Sequence, residues 1–145
     1  MKLLRIAQVP PIVVAPHDNV QMAVENMCAE RVGAVAVVED GKLIGIFTER
    51  DLMRRVVRSG LNLHETAVAE VMTRDPFVAP AEMEASDAFE FMTDKHLRHL
   101  PITDQSGELQ GMLSVRHLMR HIVEHLSHEL EGMNAYFSAD GPGGG

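Results

Sequence analysis

Thr48 and Asp51 stand three residues apart in the phrase "GIFTERD" at 45–51. If a helix starts there, both fall on one side of its first turn. A carboxylate can accept two hydrogen bonds from a sugar diol. A hydroxyl beside unpaired helix N–H groups suits a phosphate or another anion. Gly45 lets backbone or ligand come close. The same pair also fits a capping box with no ligand, and the seven-residue window by itself favours that plainer reading. The phrase returns as "GMLSVRH" at 111–117, with Ser114 and His117 in the matching places. A neutral imidazole accepts one hydrogen bond, not the fork a diol prefers, and a protonated one donates and favours phosphate. His117, His121, His125 and His128 follow at i, i+4, i+8 and i+11. An i, i+4 pair such as His117 and His121, or His121 and His125, can chelate a transition metal. A solvated polar face shared with Glu124 and Glu131 is the plainer reading.

The elements that must hold these groups come in two copies, over 11–58 and 76–125, with Met27 matching Met92, Gly41 matching Gly107, and Gly45 matching Gly111. A search for internal periods therefore decides the architecture. Each copy opens on an extended stretch, "PIVVAP" or "PFVAP", closed by proline. A helix follows, with apolar residues at 20, 23, 24, 27 and 28, or at 85, 88, 89 and 92. Asp18 or Asn19 can cap the first of these helices. Cys28, the single cysteine, has no disulfide partner in the chain and is expected as a small buried hydrophobe on that stripe. Short apolar runs, 34–38 and 99–103, predict buried strands. Asp40 and Gly41 predict a tight hairpin. A third strand ends at the repeated phrase, where a second helix begins. Its apolar stripe is Leu52, Met53, Val56 and Val57 in one copy, and Leu118, Met119, Ile122, Val123 and Leu126 in the other.

Each copy is thus β-α-β-β-α, and neither can bury both faces of its sheet alone. The prediction is a mixed α/β (α+β) fold in which two repeats pack about a pseudo-twofold axis. The first unit spans 1–68, including the N-terminal segment and a polar linker, and the second spans 69–131. A short helical turn is expected near 68–72. Residues 132–145, rich in glycine at their end, are expected as a flexible tail.

The 145 residues carry a net charge of −8, which argues against nucleic acid as the main partner. No apolar run approaches the ~18 residues that span a bilayer, so no membrane is expected. The start "MKLLRIAQVPP" lacks a signal-peptide pattern, and the cytoplasm is the expected location. No nucleophile–base pair or phosphate-gripping glycine loop of an enzyme is present, and no catalysis is expected.

The duplicated unit, each copy closing on G-h-h-[ST]-x-x-x-L-M, together with "VAEVMTRDPFVAP", "LRHLPITD" and "GMLSVRHLMRHIV", resembles the paired cystathionine β-synthase (CBS) domains, or Bateman module, of a stand-alone bacterial type. The resemblance covers roughly residues 1–126. It implies a regulatory module that binds an adenosyl ligand between the repeats: AMP, ADP or ATP, with S-adenosylmethionine or NAD as further options, and no required cofactor. It implies a first cleft built from Ile46, Thr48, Arg50 and Asp51, facing Pro76, Phe77 and Val78, then Arg98, His99 and Leu100. In it, Asp51 would hold the ribose and Thr48 the phosphate side. A second cleft, weaker for want of a carboxylate at 117, would use Ile12, Val13, Val14, Ala34, Val35, Ser114 and His117. A homodimer joined through helices and an unidentified effector protein are implied as partners. The alternative function is a metal- or pH-responsive interaction module built on His117, His121 and His125.

Overall fold

The computed structural model describes the backbone of residues 2–140 and the side chains of residues 2–133. The first half contains β1 (Val13–Val14), α1 (Val20–Glu30), β2 (Ala34–Glu39), β3 (Lys42–Thr48) and α2 (Glu49–Asp51), which runs on into a π-helical turn, Leu52–Val57. A connecting helix, α3 (Val68–Val71), leads to β4 (Thr73–Arg74). The second half contains α4 (Ala85–Asp94), β5 (His99–Thr103), β6 (Leu109–Ser114) and α5 (Val115–Asp140). This is the expected mixed fold with two related halves.

The expected local signals act as they should. The Asn19 side chain accepts the Met22 N–H at 2.8 Å and caps α1. Asp40 and Gly41 both hold positive φ, 51° and 78°, which turns β2 directly into β3. In the first sheet the order is β1-β2-β3-β4, with β1 parallel to β2 and the other pairs antiparallel.

Four expectations change. "PFVAP" forms no strand: it touches β5 through one parallel bridge, Ala79 to Ile102. Pro76 and Pro80 lack N–H donors, and Phe77 and Val78 turn outward instead of into a sheet. The helix after Thr48 is not regular. Its π-type bond from the Arg58 N–H to the Met53 carbonyl (3.0 Å) shifts the stripe, so Val56 is buried while Met53 and Val57 lie exposed. Cys28 is exposed, because α1 lays only Val20, Ala23 and Met27 fully against the sheet. The chain past 132 continues as α5 to Asp140, and residues 141–145 of the expected tail lie outside the described residues.

The N-terminal segment packs across the molecule. Leu3, in a short 3-10 turn (Leu3–Arg5), is fully buried with Ala79, Met92 and Leu113 in the second core, and Gln8 bridges Met112 on β6. Residues 68–73 do the same for the first half: Val68 is buried with Val20 and Phe47, and Thr73 pairs with Ile46 on β3. Each half is therefore completed by the segment that precedes the other half in the chain.

The halves meet on a third apolar cluster, Ala34, Ala36, Ile46 and Met112, where two alanines allow close approach. At its rim the Lys42 ammonium donates to the Ser106 carbonyl at 2.6 Å. Gly45 sits at the seam between β3 and β4. A Cβ there would lie 2.5 Å from Met72 Sδ and 2.9 Å from the Thr73 carbonyl oxygen. The sulfur can swing away, but the strand backbone cannot. Gly45→Ala is expected to cost about 1–3 kcal/mol in urea unfolding, with β4 pushed off β3.

Candidate ligand-binding cleft

Strand β3 ends at Thr48, whose extended backbone (φ −119°, ψ 166°) starts α2. The Thr48 hydroxyl accepts the Asp51 N–H at 3.2 Å, and Asp51 Oδ2 accepts the Thr48 N–H at 3.1 Å. The capping box is therefore real. It does not exhaust the carboxylate, which offers about four acceptor positions. The Thr73 hydroxyl lies 3.1 Å from Asp51 Oδ1, and the Arg55 guanidinium stands 3.6 Å from the same oxygen. Arg55 also donates to the Met72 carbonyl at 2.7 Å, tying the π-helical turn to β4. Asp51 is thus a buried carboxylate held by groups from three segments.

Asp51 lines a cleft of about 750 Å3 between the halves. Ile46, Thr48, Arg50, Asp51, Pro76, Phe77, Arg98 and His99 all come together there, as the sequence predicts. Val78 and Leu100 do not. Leu100 is fully buried in the second core, because alternation along β5 sends His99 to the cleft and Leu100 away from it. Val78 is exposed outside the lining.

The sequence reading missed Arg54, Thr73, Arg74, Asp75 and His96, which also line the cleft. Arg54 stands three residues past the repeated phrase, and its charge was the available signal. Thr73 carries no such signal, Arg74 has the charge but lies far from the phrase in the chain, and their pairing with Ile46 and Gly45 brings both in. Asp75 and His96 both hold left-handed backbone, φ 46° and 57°, a conformation costly for such residues and recurrent at binding sites.

The cleft combines charged and apolar groups. Arg50, Arg54, Arg74 and Arg98 outnumber Glu49, Asp51 and Asp75. Phe77 stands edge-on to Phe91, with centroids 5.5 Å apart, and the Lys95 ammonium lies 5.4 Å from its ring centre. His99 is pushed down to about 4, first by burial and then by the charge of Arg98 and the proximity of His117. Its imidazole is neutral at pH 7 and can both donate and accept. At Gly33 a Cβ would run into Glu49 Oε1 and come 3.2 Å from His99 Cε1, so glycine keeps this end of the cleft open.

A family model described as CBS domain matches residues 5–58 and again 68–124. The chain belongs to the CBS domain family. It is a CBS pair, with the two matches falling on the two halves of the fold. It is 35% identical over 124 residues to a mitochondrial CBS domain-containing protein of Arabidopsis thaliana, spanning 82% of this chain and 60% of the relative. An inosine-5'-monophosphate dehydrogenase of Thermoplasma acidophilum is 30% identical over 130 residues, 89% of this chain and 25% of that protein. The CBS pair thus spans less than two thirds of these curated relatives. A solved CBS domain structure superposes with TM-score 0.77 at 30% identity, covering 85% of this chain and 98% of the other. The CBS domain protein of Pyrobaculum aerophilum complexed with AMP superposes with TM-score 0.77 at 22% identity, covering 88% and 99%.

The opposite side of the CBS pair differs. The expected second cleft would gather Ile12, Val13, Val14, Ala34, Val35, Ser114 and His117. Val14, Ala34 and Val35 are instead buried core residues, Ile12 packs against the first core, and Val13 is exposed on the edge strand β1. The Ser114 hydroxyl accepts the His117 N–H at 3.1 Å, half of a capping box. A shallow depression of about 580 Å3 holds His117 with Arg5, Gln8, Arg31, Arg120, His121 and Glu124, among others. Of the expected set, only His117 lines it. Gln8, bridged to Met112, sits where the first cleft has Thr73.

The histidines of α5 part company. His117 and His121 face that depression, while His125 Nε2 lies 3.3 Å from Glu129 Oε1 on the exposed side. Among the described residues, no three His, Cys, Asp or Glu side chains converge to hold a metal ion. Among them also, no helix is long and apolar enough to cross a membrane.

Proposed function

We propose that this CBS pair is a regulatory ligand sensor that takes an adenosyl ligand, AMP, ADP or ATP, in the cleft at Asp51. The carrying observation is the composition of that cleft. A buried carboxylate at the start of α2 faces the open volume together with four arginines and an aromatic ring. Asp51 accepts the ribose hydroxyls, displacing the Thr73 hydroxyl as it does so. Thr48, Arg50, Arg54, Arg74 and Arg98 surround the phosphates, since guanidinium groups match phosphate geometry and stay charged. Phe77 and Ile46 supply apolar surface for the base. The AMP bound by the Pyrobaculum aerophilum protein of the same fold supports this choice.

The ligand draws the two halves together. Through Arg55 it biases the π-helical turn, whose outer face carries Met53 and Val57. The CBS pair acts as a homodimer, performs no catalysis, and hands the change to an effector protein. Titration calorimetry of nucleotide-free protein with AMP, ADP and ATP tests the reading. One site per chain is expected, and Arg98→Ala should weaken ATP about 10-fold or more by losing a charged hydrogen bond. No heat with any of the three would sink it, and two equal sites would contradict the asymmetry between the clefts.

A further inference from the structure

The backbone does little to place Phe77. On one side the Asp75 N–H donates to the Ile44 carbonyl at 3.3 Å, and on the other the Ala79 N–H donates to the Pro101 carbonyl at 2.9 Å. Among the described residues, none of the three between them, Pro76, Phe77 and Val78, makes a backbone–backbone hydrogen bond. The Phe77 side chain is also half exposed. A ring on such a segment keeps its rotamer freedom unless other side chains hold it, and a wall that moves costs entropy each time a ligand leans on it.

The hold comes from the end of α4. Phe91 and Lys95 stand four residues apart on one face, with the Lys95 N–H on the Phe91 carbonyl at 3.0 Å. Phe91 packs against the second core, which makes it a fixed support. Its ring meets that of Phe77 at 82°, the favourable edge-on contact. The Lys95 ammonium lies over the Phe77 ring, within the ~6 Å reach of a cation–π attraction. Phe77 lines the cleft, whereas Phe91 and Lys95 do not. Any effect these two have on a ligand therefore passes through Phe77. We infer that Lys95 and Phe91 are positioning residues: they fix the Phe77 ring as a wall against which the base of the ligand stacks. The inference rests on the reading of this cleft as an adenosyl site, to which it adds how the base is received.

Calorimetry with AMP on four chains tests it: the unchanged chain, Lys95→Met, Phe77→Leu and the double variant. Lys95→Met should weaken AMP about 3-fold and Phe77→Leu about 10-fold. The double variant should be no weaker than Phe77→Leu alone, because without the ring Lys95 has nothing to hold. Lys95→Arg keeps a cation over the ring and should bind as the unchanged chain does. Phe91→Leu, which keeps an apolar group in the second core, should follow Lys95→Met, at about 3-fold. A lysine that only complements the end of α4 would change stability in urea and leave AMP affinity alone. Unaltered affinity in Lys95→Met would overturn the inference. So would losses that multiply in the double variant, since Lys95 would then act on the phosphate by its charge and not through the ring. An unchanged chain that gives no heat with AMP would overturn the adenosyl reading itself, and this inference with it.

Discussion

Asp51→Asn should weaken AMP binding about 10- to 100-fold, the worth of one or two charged hydrogen bonds, as read by calorimetry. The change keeps the size of the side chain and removes one acceptor oxygen together with the negative charge. In the free protein that carboxylate already takes the Thr48 N–H and the Thr73 hydroxyl, with Arg55 beside it. The amide cannot satisfy all of them and presents a donor toward Arg55. Stability should therefore fall too, by about 1–2 kcal/mol for the damaged cap. Thr48→Ala separates the two effects. It removes the hydroxyl half of the capping box, with a comparable loss of stability, and one contact on the phosphate side, but leaves the carboxylate to bind the ribose, so its affinity should fall less than that of Asp51→Asn. If both variants lose affinity only in step with stability, Asp51 is structural and the ligand reading of this cleft is wrong.

The second large effect is a pH dependence carried by His99. Its folded value of about 4 lies below the unfolded value of 6.5. As pH falls below 6.5 the unfolded chain takes up a proton that the folded chain refuses. Stability from this group is thus complete above pH 6.5, declines between 6.5 and 4, and levels off below 4. A difference of this size corresponds to about 3 kcal/mol, at ~1.4 kcal/mol per pH unit. The causes are the burial of the ring, then Arg98 beside it and His117 at the start of α5. His99→Gln keeps a donor and an acceptor and cannot titrate. Urea unfolding at several pH values between 7.5 and 4 should show a steep loss for the unchanged chain and a shallower one for the variant. Parallel curves would mean that the folded chain takes up this proton as readily as the unfolded one, and that burial does not depress His99.

A bound phosphate would act on the same imidazole in the opposite sense. An anion in the cleft favours the protonated ring and raises its pKa. Nucleotide binding near pH 5 should therefore be accompanied by proton uptake, seen as a dependence of the calorimetric heat on the buffer, and this dependence should vanish in His99→Gln.

The cleft was legible in the sequence wherever the signal was local. "GIFTERD" announced a helix start, and the capping geometry of Thr48 and Asp51 follows from three residues of spacing alone. The β2–β3 hairpin followed from Asp40 and Gly41, and the end of β5 nearest the cleft from the run 99–103. The expectation that the two copies pack on each other is met by the apolar cluster between the halves. Leu100 shows where such reasoning stops. It neighbours His99 in the chain, yet the pleat turns it into the core, and only knowing which face of β5 meets the cleft separates the two. Val14 and Val35 failed as cleft residues for the same reason: strand identity was right and facing was not.

The sequence by itself determined the duplication, the order of elements in each half and the chemistry available at each helix start, because these depend on neighbours within a few positions. The tertiary structure decided which groups share a cavity. Thr73 reaches Asp51 across 22 positions because β4 pairs with β3, and residues 2–8 complete the second half from the far end of the chain. Closing such loops costs chain entropy that grows only slowly with their length, so distance along the chain says little about who meets whom. Register and buried apolar area choose the partners, and those are properties of the assembled fold.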